Sequence, residues 1–414
     1  MKIAIVGTGI AGLTVAHLLH ERHEVTLFEA APYVGGHTNT IRVDTANETH
    51  HVDTGFIVFN DRNYPNFERL LRALDVRWQP SEMSFSVSDG AGAFEYASTS
   101  ANGLFANRRH LATPAFHRMV LDLHRFHRAA RRLLDDGDQR LSLREWLEAQ
   151  RFSRGFIDRL IVPQVAAVWS ADPRSLWSFP ARFLAEFFAN HGMLGFRDRP
   201  LWRTVTGGSA RYVDALTAPF AHRIRLNAPV SAIERADDHV LVTVAGAAPA
   251  QFDHVVLATH SDQALGLLRD PSAREHEILS SIPYQANEAV LHTDVRLLPR
   301  RRRAWASWNY HLMDEPPACA TVTYHMNRLQ SLTAEREFCV TLNQTARIDP
   351  GRVIKRIQYA HPVFTPEGVR ARSLVSEISG ARRTHFCGAY WGWGFHEDGV
   401  NSGLRVAQAF GATL

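Results

Sequence analysis

The first twelve residues constrain this chain more than any other stretch. Lys2-Ile3-Ala4-Ile5-Val6 is short, β-branched and almost wholly apolar, the pattern of a parallel strand buried on both faces. It runs into Gly7-Thr8-Gly9-Ile10-Ala11-Gly12, after which Leu13, Val15, Ala16, Leu18 and Leu19 predict a helix over Leu13 to His20. His23 to Phe28 reads as a second strand that ends on Glu29, followed by Ala30. Gly7 permits a tight turn, Gly9 lets a pyrophosphate approach the backbone, and Gly12 lets helix and strand pack closely. The helix start offers free N–H groups and a positive dipole end to phosphates. Glu29, about 20 residues on, can hydrogen-bond both ribose hydroxyls. A lone GxGxxG is weak; with this strand, helix and acid around it, the motif predicts a dinucleotide site.

Length argues for two domains, since 414 residues exceed one ordinary core. Apolar residues at 45% and charged residues at 21% fit a soluble globular chain. Net charge is only +4, and Lys2 and Lys355 are the only lysines. The one dense basic run, Arg300 to Arg303, reads as a solvated loop after Pro299, with phosphate or anionic lipid as the alternative contact. No broader basic patch stands out along the chain, so nucleic acid is not an expected partner. Cys319, Cys339 and Cys387 form no CxxC pair, and no HExxH occurs, so neither a disulfide framework nor a metal site is expected. The first apolar run belongs to the glycine motif rather than to a signal peptide, and no stretch reaches the roughly 18 apolar residues of a membrane span. A cytoplasmic location is the expectation, with peripheral membrane contact left open.

The residues that follow separate one dinucleotide from another. Ala31 to Thr40, with Gly35, Gly36, His37 and Thr38, resembles the paired-glycine segment of the flavin-containing amine oxidase superfamily, and Val52-Asp53-Thr54-Gly55-Phe56 resembles its next segment. Thr206 to Leu216 looks like its glycine turn and short helix. Ile224 to Val230 is similar to a strand whose end residue, here Val230, touches adenine. Thr384 to Gly388 and the aromatic loop Tyr390 to Gly399 lead into Val400 to Ala407, which resembles the superfamily's closing helix. The resemblance implies FAD as cofactor. It implies that Gly388, Gly399 and Val400 lie where a helix N-terminus faces the flavin, a favourable place for the charge gained on reduction. It also implies an α/β fold: a Rossmann-like, three-layer FAD-binding domain with an interleaved mixed α+β substrate domain. The expected division is 1–85, 202–270 and 376–414 for the FAD-binding domain, and 86–201 and 271–375 for the substrate domain. Shorter phrases, among them Asp53 to Asn60, Trp308-Asn309-Tyr310 and Gly394 to Gly399, are similar to a bacterial subgroup associated with cyclopropane fatty-acid synthases.

Between these segments, Pro114 to Leu134 and Leu143 to Leu160 carry helical periodicity. Leu176 to Trp202 is rich in Trp, Phe and Leu, including Phe196, and reads as a helical core, an apolar tunnel or a membrane-facing surface. Catalytic candidates cluster in the aromatic loop. Trp391, Trp393 and Phe395 could flank a substrate or pack on the flavin. His396 and Glu397 could relay a proton or stabilise the loop. His37 stands where the amine oxidases commonly have arginine, and it could bind phosphate or attach flavin covalently. Gln285 to His292, the stretch matching the amine oxidases' flavin-facing lysine, contains none.

These features lead to an FAD-dependent oxidoreductase that takes hydride from an apolar small molecule, with a fatty-acyl chain as the expected substrate and desaturation or isomerisation as the outcome. One alternative is a peroxide-producing amine oxidase. Another is a non-catalytic flavin-binding partner of a lipid-modifying methyltransferase.

Overall fold

The computed structural model describes residues 1–45, 47–136, 141–170, 172–195, 197–314 and 319–414. Strand β1 (Lys2–Val6) lies at the centre of a five-stranded parallel sheet. Alternate side chains divide between its faces, as a period of two requires. Ile3 and Ile5 join one core with Leu13, Val15 and Leu27, while Ala4 and Val6 join another with Val255 and Leu257. Helix α1 (Ile10–Leu19) follows the glycine turn, and β2 (Glu24–Phe28) pairs alongside β1. The remaining strands are Ile224–Arg225, His254–Leu257 and Thr384–Phe386, so distant parts of the chain complete one sheet.

Residue Val230 opens the next strand, Val230–Arg235, instead of closing the one before it. The chain turns at Asn227, whose φ of 50° ends the preceding strand. Helix α2 (Pro114–Asp136) fits its expected span closely. The second expected helix is broken: it runs Leu143–Ala149, pauses where Arg151 takes φ 52°, and restarts at Arg154 with Ser153 as its cap. A serine hydroxyl that accepts the Phe156 N–H satisfies a new helix start, and helical periodicity across the break concealed it. Of the aromatic stretch, only α3 (Ala181–Asn190) is α-helical, and Phe179, Phe183, Phe187 and Phe188 are buried. These rings are core and cavity wall, so they offer no membrane-facing surface; Phe196 lies outside the described residues.

A seven-stranded mixed sheet forms the other large layer. Its longest strands, β3 (Tyr284–His292) and β4 (Val353–Pro362), pair antiparallel over nine positions. The arginine run is solvent-exposed at Arg300, Arg302 and Arg303, as a solvated loop requires, yet it is also anchored to the protein. Arg300 and Arg301 donate backbone N–H groups to buried Glu95, Arg301 pairs with it at 2.9 Å, and Arg303 reaches the Ala106 carbonyl.

One buried carboxylate links the segments. Asp53 accepts the Thr40 hydroxyl at 2.5 Å, the Ser209 N–H at 2.9 Å, the Ser209 hydroxyl at 3.0 Å and Gln330 Nε2 at 2.9 Å. Its own N–H donates to Gln330 Oε1 at 2.9 Å. Burial pushes this carboxyl up to about 7 against the pull of its donors.

The last helix, α4 (His396–Ala409), begins four residues earlier than Val400, placing His396 and Glu397 in its first turn instead of on a loop. Asp398 draws the preceding loop onto that turn by accepting the Trp393 and Phe395 N–H groups.

Several histidines are buried or half-buried and held neutral by desolvation. His361 and His385 are pushed down to about 4, and His311 and His396 to about 3. The unfolded chain therefore binds more protons as pH falls, and the stability these groups contribute, fully present above about 6.5, is lost toward their folded values. The urea midpoint is expected to be flat above pH 7 and to fall steadily between pH 6.5 and 4, with up to about 1.4 kcal/mol per pH unit from each such group. A midpoint unchanged between pH 7 and 5 would contradict this.

Candidate functional site

A cavity of about 1830 Å³ runs from the glycine turn into the helical and mixed-sheet parts of the chain. Single-ligand pockets are typically roughly 300–1,000 Å³, so this one has room for a dinucleotide and a second molecule. Gly7, Gly9, Ile10, Ala11, Glu29, Ala30, Gly36, His37, Gly55, Phe56, Val230 and Gly388 all line it.

The nucleotide end has the geometry its sequence requires. A Cβ on Gly12 would lie 2.2 Å from the Gly7 carbonyl oxygen, so only glycine lets the helix sit this close to its turn. A Cβ on Gly9 would meet nothing within 4 Å, leaving open space before the helix start. No side chain caps α1, so its first N–H groups stay available to an anion. Glu29 is positioned by the Thr8 N–H at 3.0 Å and hydroxyl at 2.5 Å on one oxygen, and the Ala31 N–H at 2.9 Å on the other. His37 Nε2 and the Tyr390 hydroxyl are buried without a partner among the described residues, and both residues line the cavity. An open turn, an uncapped helix, a fixed carboxylate and unpaired polar atoms are what a dinucleotide would satisfy, so the residues fit FAD.

Four predicted contacts lie behind this wall. Gly12 packs on Gly7. Gly399 presses α4 onto α1, since its Cβ would be 2.6 Å from Ile10 Cγ2, and Val400 is fully buried beside it. Thr38 bonds to the Tyr212 hydroxyl at 2.5 Å.

The middle of the cavity is imidazole-rich. His37 stacks on Tyr359 with centroids 4.8 Å apart and lies 5.2 Å from His361 and 6.4 Å from His260. Burial, then the neighbouring histidines, hold His37 well below its ordinary value. Asn287 on β3, buried in the stretch that lacks the lysine, bonds to His361 Nδ1 at 3.0 Å. Neither lysine of the chain lines the cavity. Sequence reasoning missed His260, His361 and Tyr359, because nothing in their spacing marked a site.

The five catalytic candidates separate. Trp393, Phe395 and His396 line the cavity. Phe395 stacks on Phe187, with centroids 5.5 Å apart, and Trp393 packs on Phe183 at 4.4 Å. Arg372, also unforeseen, lays its guanidinium over Phe183, Phe364 and Trp393. His396 stacks on Phe56 at 3.6 Å and bonds to the Tyr212 hydroxyl at 2.6 Å. With its value near 3, it is neutral near pH 7 and has no imidazolium proton to deliver. Glu397 and Trp391 do not reach the cavity. Glu397 accepts the Asn66 and Phe67 N–H groups at 3.0 and 2.8 Å, capping the helix Pro65–Ala73, and Trp391 is buried against Tyr390. A helix start needing acceptors claims Glu397, a competing use its sequence neighbours did not reveal.

Beyond the aromatic loop the wall is mostly apolar, with Met119, Leu123, Leu160, Val168, Phe187 and Trp308, interrupted by His127, Gln164 and His191. Glu29 is the one carboxylate among the lining residues, and it lies at the nucleotide end.

Replacing Gly9 by valine separates binding from folding, because the new side chain enters open space in an ordinary backbone conformation, φ −69°. The G9V variant should keep its unfolding midpoint, while flavin affinity of the apoprotein drops at least about tenfold, equivalent to about 1.4 kcal/mol. Fluorescence titration with FAD checks this, and unchanged affinity would contradict the assignment of the cradle.

The sequence pattern of the flavin containing amine oxidoreductases matches residues 10–307, well over half the chain. Three solved structures share the fold over nearly their full lengths. Cyclohexylamine oxidase from Brevibacterium oxydans IH-35A aligns at TM-score 0.72 and 15% identity, covering 99% of this chain and 98% of the other. Putrescine oxidase, wild type bound to putrescine, aligns at 0.70 and 15%, covering 99% of each. The CLA-producing fatty acid isomerase from P. acnes aligns at 0.69 and 15%, covering 99% and 98%. Zeta-carotene desaturase from Zea mays is 38% identical over 73 residues, 17% of this chain, and the match spans only 12% of that relative's length. The chain has the amine-oxidase fold, takes FAD as its cofactor, acts as an FAD-dependent oxidoreductase, and belongs to the flavin containing amine oxidoreductase family.

Proposed function

We propose that this oxidoreductase takes hydride from a fatty-acyl chain onto the flavin, keeping it there in desaturation or returning it to another carbon of the chain in isomerisation. The observation that carries the reading is the lining of the cavity beyond the flavin end, which is mostly apolar and holds no carboxylate. A desolvated ammonium needs a charged partner, whereas an alkyl chain needs only apolar surface. Arg199, exposed and also lining the cavity, supplies a cation for a carboxylate or phosphate head group at its mouth. The absence of a lysine from β3 agrees with this preference over oxygen-dependent amine chemistry. A fatty acid isomerase and a carotene desaturase among the similar proteins make both outcomes chemically reasonable in this fold.

In this reading the Gly7–Gly12 turn and the α1 N-terminus hold the pyrophosphate, Glu29 the ribose, and Val230 the adenine edge. FAD, when bound, supplies the two-electron acceptor. Phe395, Trp393 and Phe187 wall the chain, and neutral His396 fixes Phe56 by stacking. The division of the chain into an FAD-binding part (1–85, 202–270, 376–414) and a substrate part (86–201, 271–375) belongs to the same proposal. So do membership of the subgroup associated with cyclopropane fatty-acid synthases, a lipid-modifying methyltransferase as partner, and a cytoplasmic location. Among the described residues no helix is long and apolar enough to cross a membrane. Amine oxidation is the second reading, favoured by the aromatic wall of Phe395 and Trp393.

Anaerobic mixing of the FAD-loaded protein with substrates separates these readings. Unsaturated fatty acids or acyl phospholipids should bleach the oxidised-flavin absorbance on rapid mixing, lastingly in desaturation and transiently in isomerisation, while monoamines and diamines leave it unchanged. Bleaching by amines alone, with peroxide on readmission of air, would overturn the acyl reading. Bleaching by neither, with a methyltransferase copurifying, would support the non-catalytic alternative.

A further inference from the structure

One helix carries both the apolar cavity wall and a basic outer face. From α2, Met119, Val120, Leu123 and His127 line the cavity, and Phe116, Phe126 and Leu133 are buried. The opposite side is exposed and gathers Arg118, Arg125, Arg128, Arg131 and Arg132. Their spacing of three, four and seven residues brings them to one face, which a linear scan for basic runs overlooks. Residues 108–136 hold seven arginines against three aspartates, a surplus of four that equals the net charge of the whole chain. Asp122, buried, pairs with Arg118 and Arg125, while Arg128 and Arg132 have no ion-pair partner among the described residues.

Exposed leucines stand on this helix and on the segments beside it. Leu201, Leu121 and Leu111, at 66, 63 and 55%, are the most exposed large apolar residues described. Leu121 lies one turn from His117, whose Nε2 contacts the Leu111 carbonyl oxygen at 2.9 Å, so both leucines flank one stretch of the helix. Arg131 reaches the Leu194 carbonyl, tying the helix to the segment that leads to the cavity-lining residues Arg199 and Leu201.

We propose that the outer face of α2, with Leu111 and Leu121, docks on an anionic phospholipid bilayer and sets the cavity mouth at Arg199 and Leu201 against it. Arginines meet the head-group charge and the leucines enter the acyl boundary. A nucleic acid would match the charge but would give isolated leucines no apolar partner. The inference deepens the acyl-chain reading, because a substrate held in a bilayer must enter through a mouth that faces it.

Sedimentation of the FAD-loaded full chain with vesicles tests it. Vesicles of phosphatidylglycerol and phosphatidylcholine in equal parts should pellet the protein at low salt, and phosphatidylcholine alone should not. The double variant Arg128→Glu/Arg132→Glu should lower partitioning at least about tenfold, and Leu121→Ser should lower it as well. Both variants should retain wild-type flavin absorbance, which reports the folded state. No pelleting with the anionic vesicles, equal pelleting of the arginine variant, or tighter binding to duplex DNA than to vesicles that Leu121→Ser leaves unchanged would each overturn the proposal. Flavin bleaching by fatty acids dispersed in detergent is scored separately. Bleaching without vesicle binding removes only the docking surface, whereas vesicle binding without bleaching removes only the acyl reading.

Discussion

The floor of the cavity depends on one buried carboxylate. Asp53 gathers donors from Thr40, Ser209 and Gln330, residues remote from one another in sequence, and the next residues, Thr54, Gly55 and Phe56, line the cavity. Loss of the carboxylate would leave several buried donors unpaired, each at a cost of about 1–3 kcal/mol. Because these bonds converge on a single side chain, they act together: they bring the segment after the paired glycines, the turn before helix Ala210–Thr217 and the Gln330 loop into one register. The strand–turn–helix at the N-terminus can then meet the rest of the fold in the arrangement that encloses a dinucleotide.

From that floor, the chemistry grades along the cavity. The flavin end is polar and built from backbone, with one carboxylate and an uncapped helix. Its middle is imidazole and phenol, all held neutral by burial. The far end is mostly hydrocarbon and aromatic ring, with His127 and His191 among them, under a helix whose other side is cationic. This gradient is the physical basis for preferring an acyl chain to an amine. An ammonium would pass basic groups at the mouth and find no carboxylate short of the nucleotide end, whereas an anionic head group and an alkyl tail would each meet a suitable surface.

Much of the nucleotide end was legible in the sequence because its chemistry resides in local backbone. A turn that needs Gly7 and Gly12 and a helix start at Ile10 are encoded within a few residues, and Glu29 closes the same unit. The catalytic end was less legible because its groups meet only through tertiary contact. His37, His260 and His361 come from three distant segments, and Tyr212 finds His396 across 184 positions. Glu397 illustrates the converse. Beside a predicted flavin face it reads as an acid–base residue, yet a neighbouring helix start needs two acceptors and takes them from it. The break after Ala149 escaped for a related reason: apolar periodicity persists across Arg151, and the left-handed turn leaves little trace in a residue type that can adopt it.

We propose that one cavity holds FAD at its polar end and an acyl chain at its apolar end. Native mass spectrometry of the purified protein, followed by denaturing extraction, tests it most directly. The expected bound mass equals FAD plus an acyl lipid, with the lipid fraction released alongside the flavin. A protein that carries FAD together with a polyamine or another small cation, and no acyl lipid, would contradict the account.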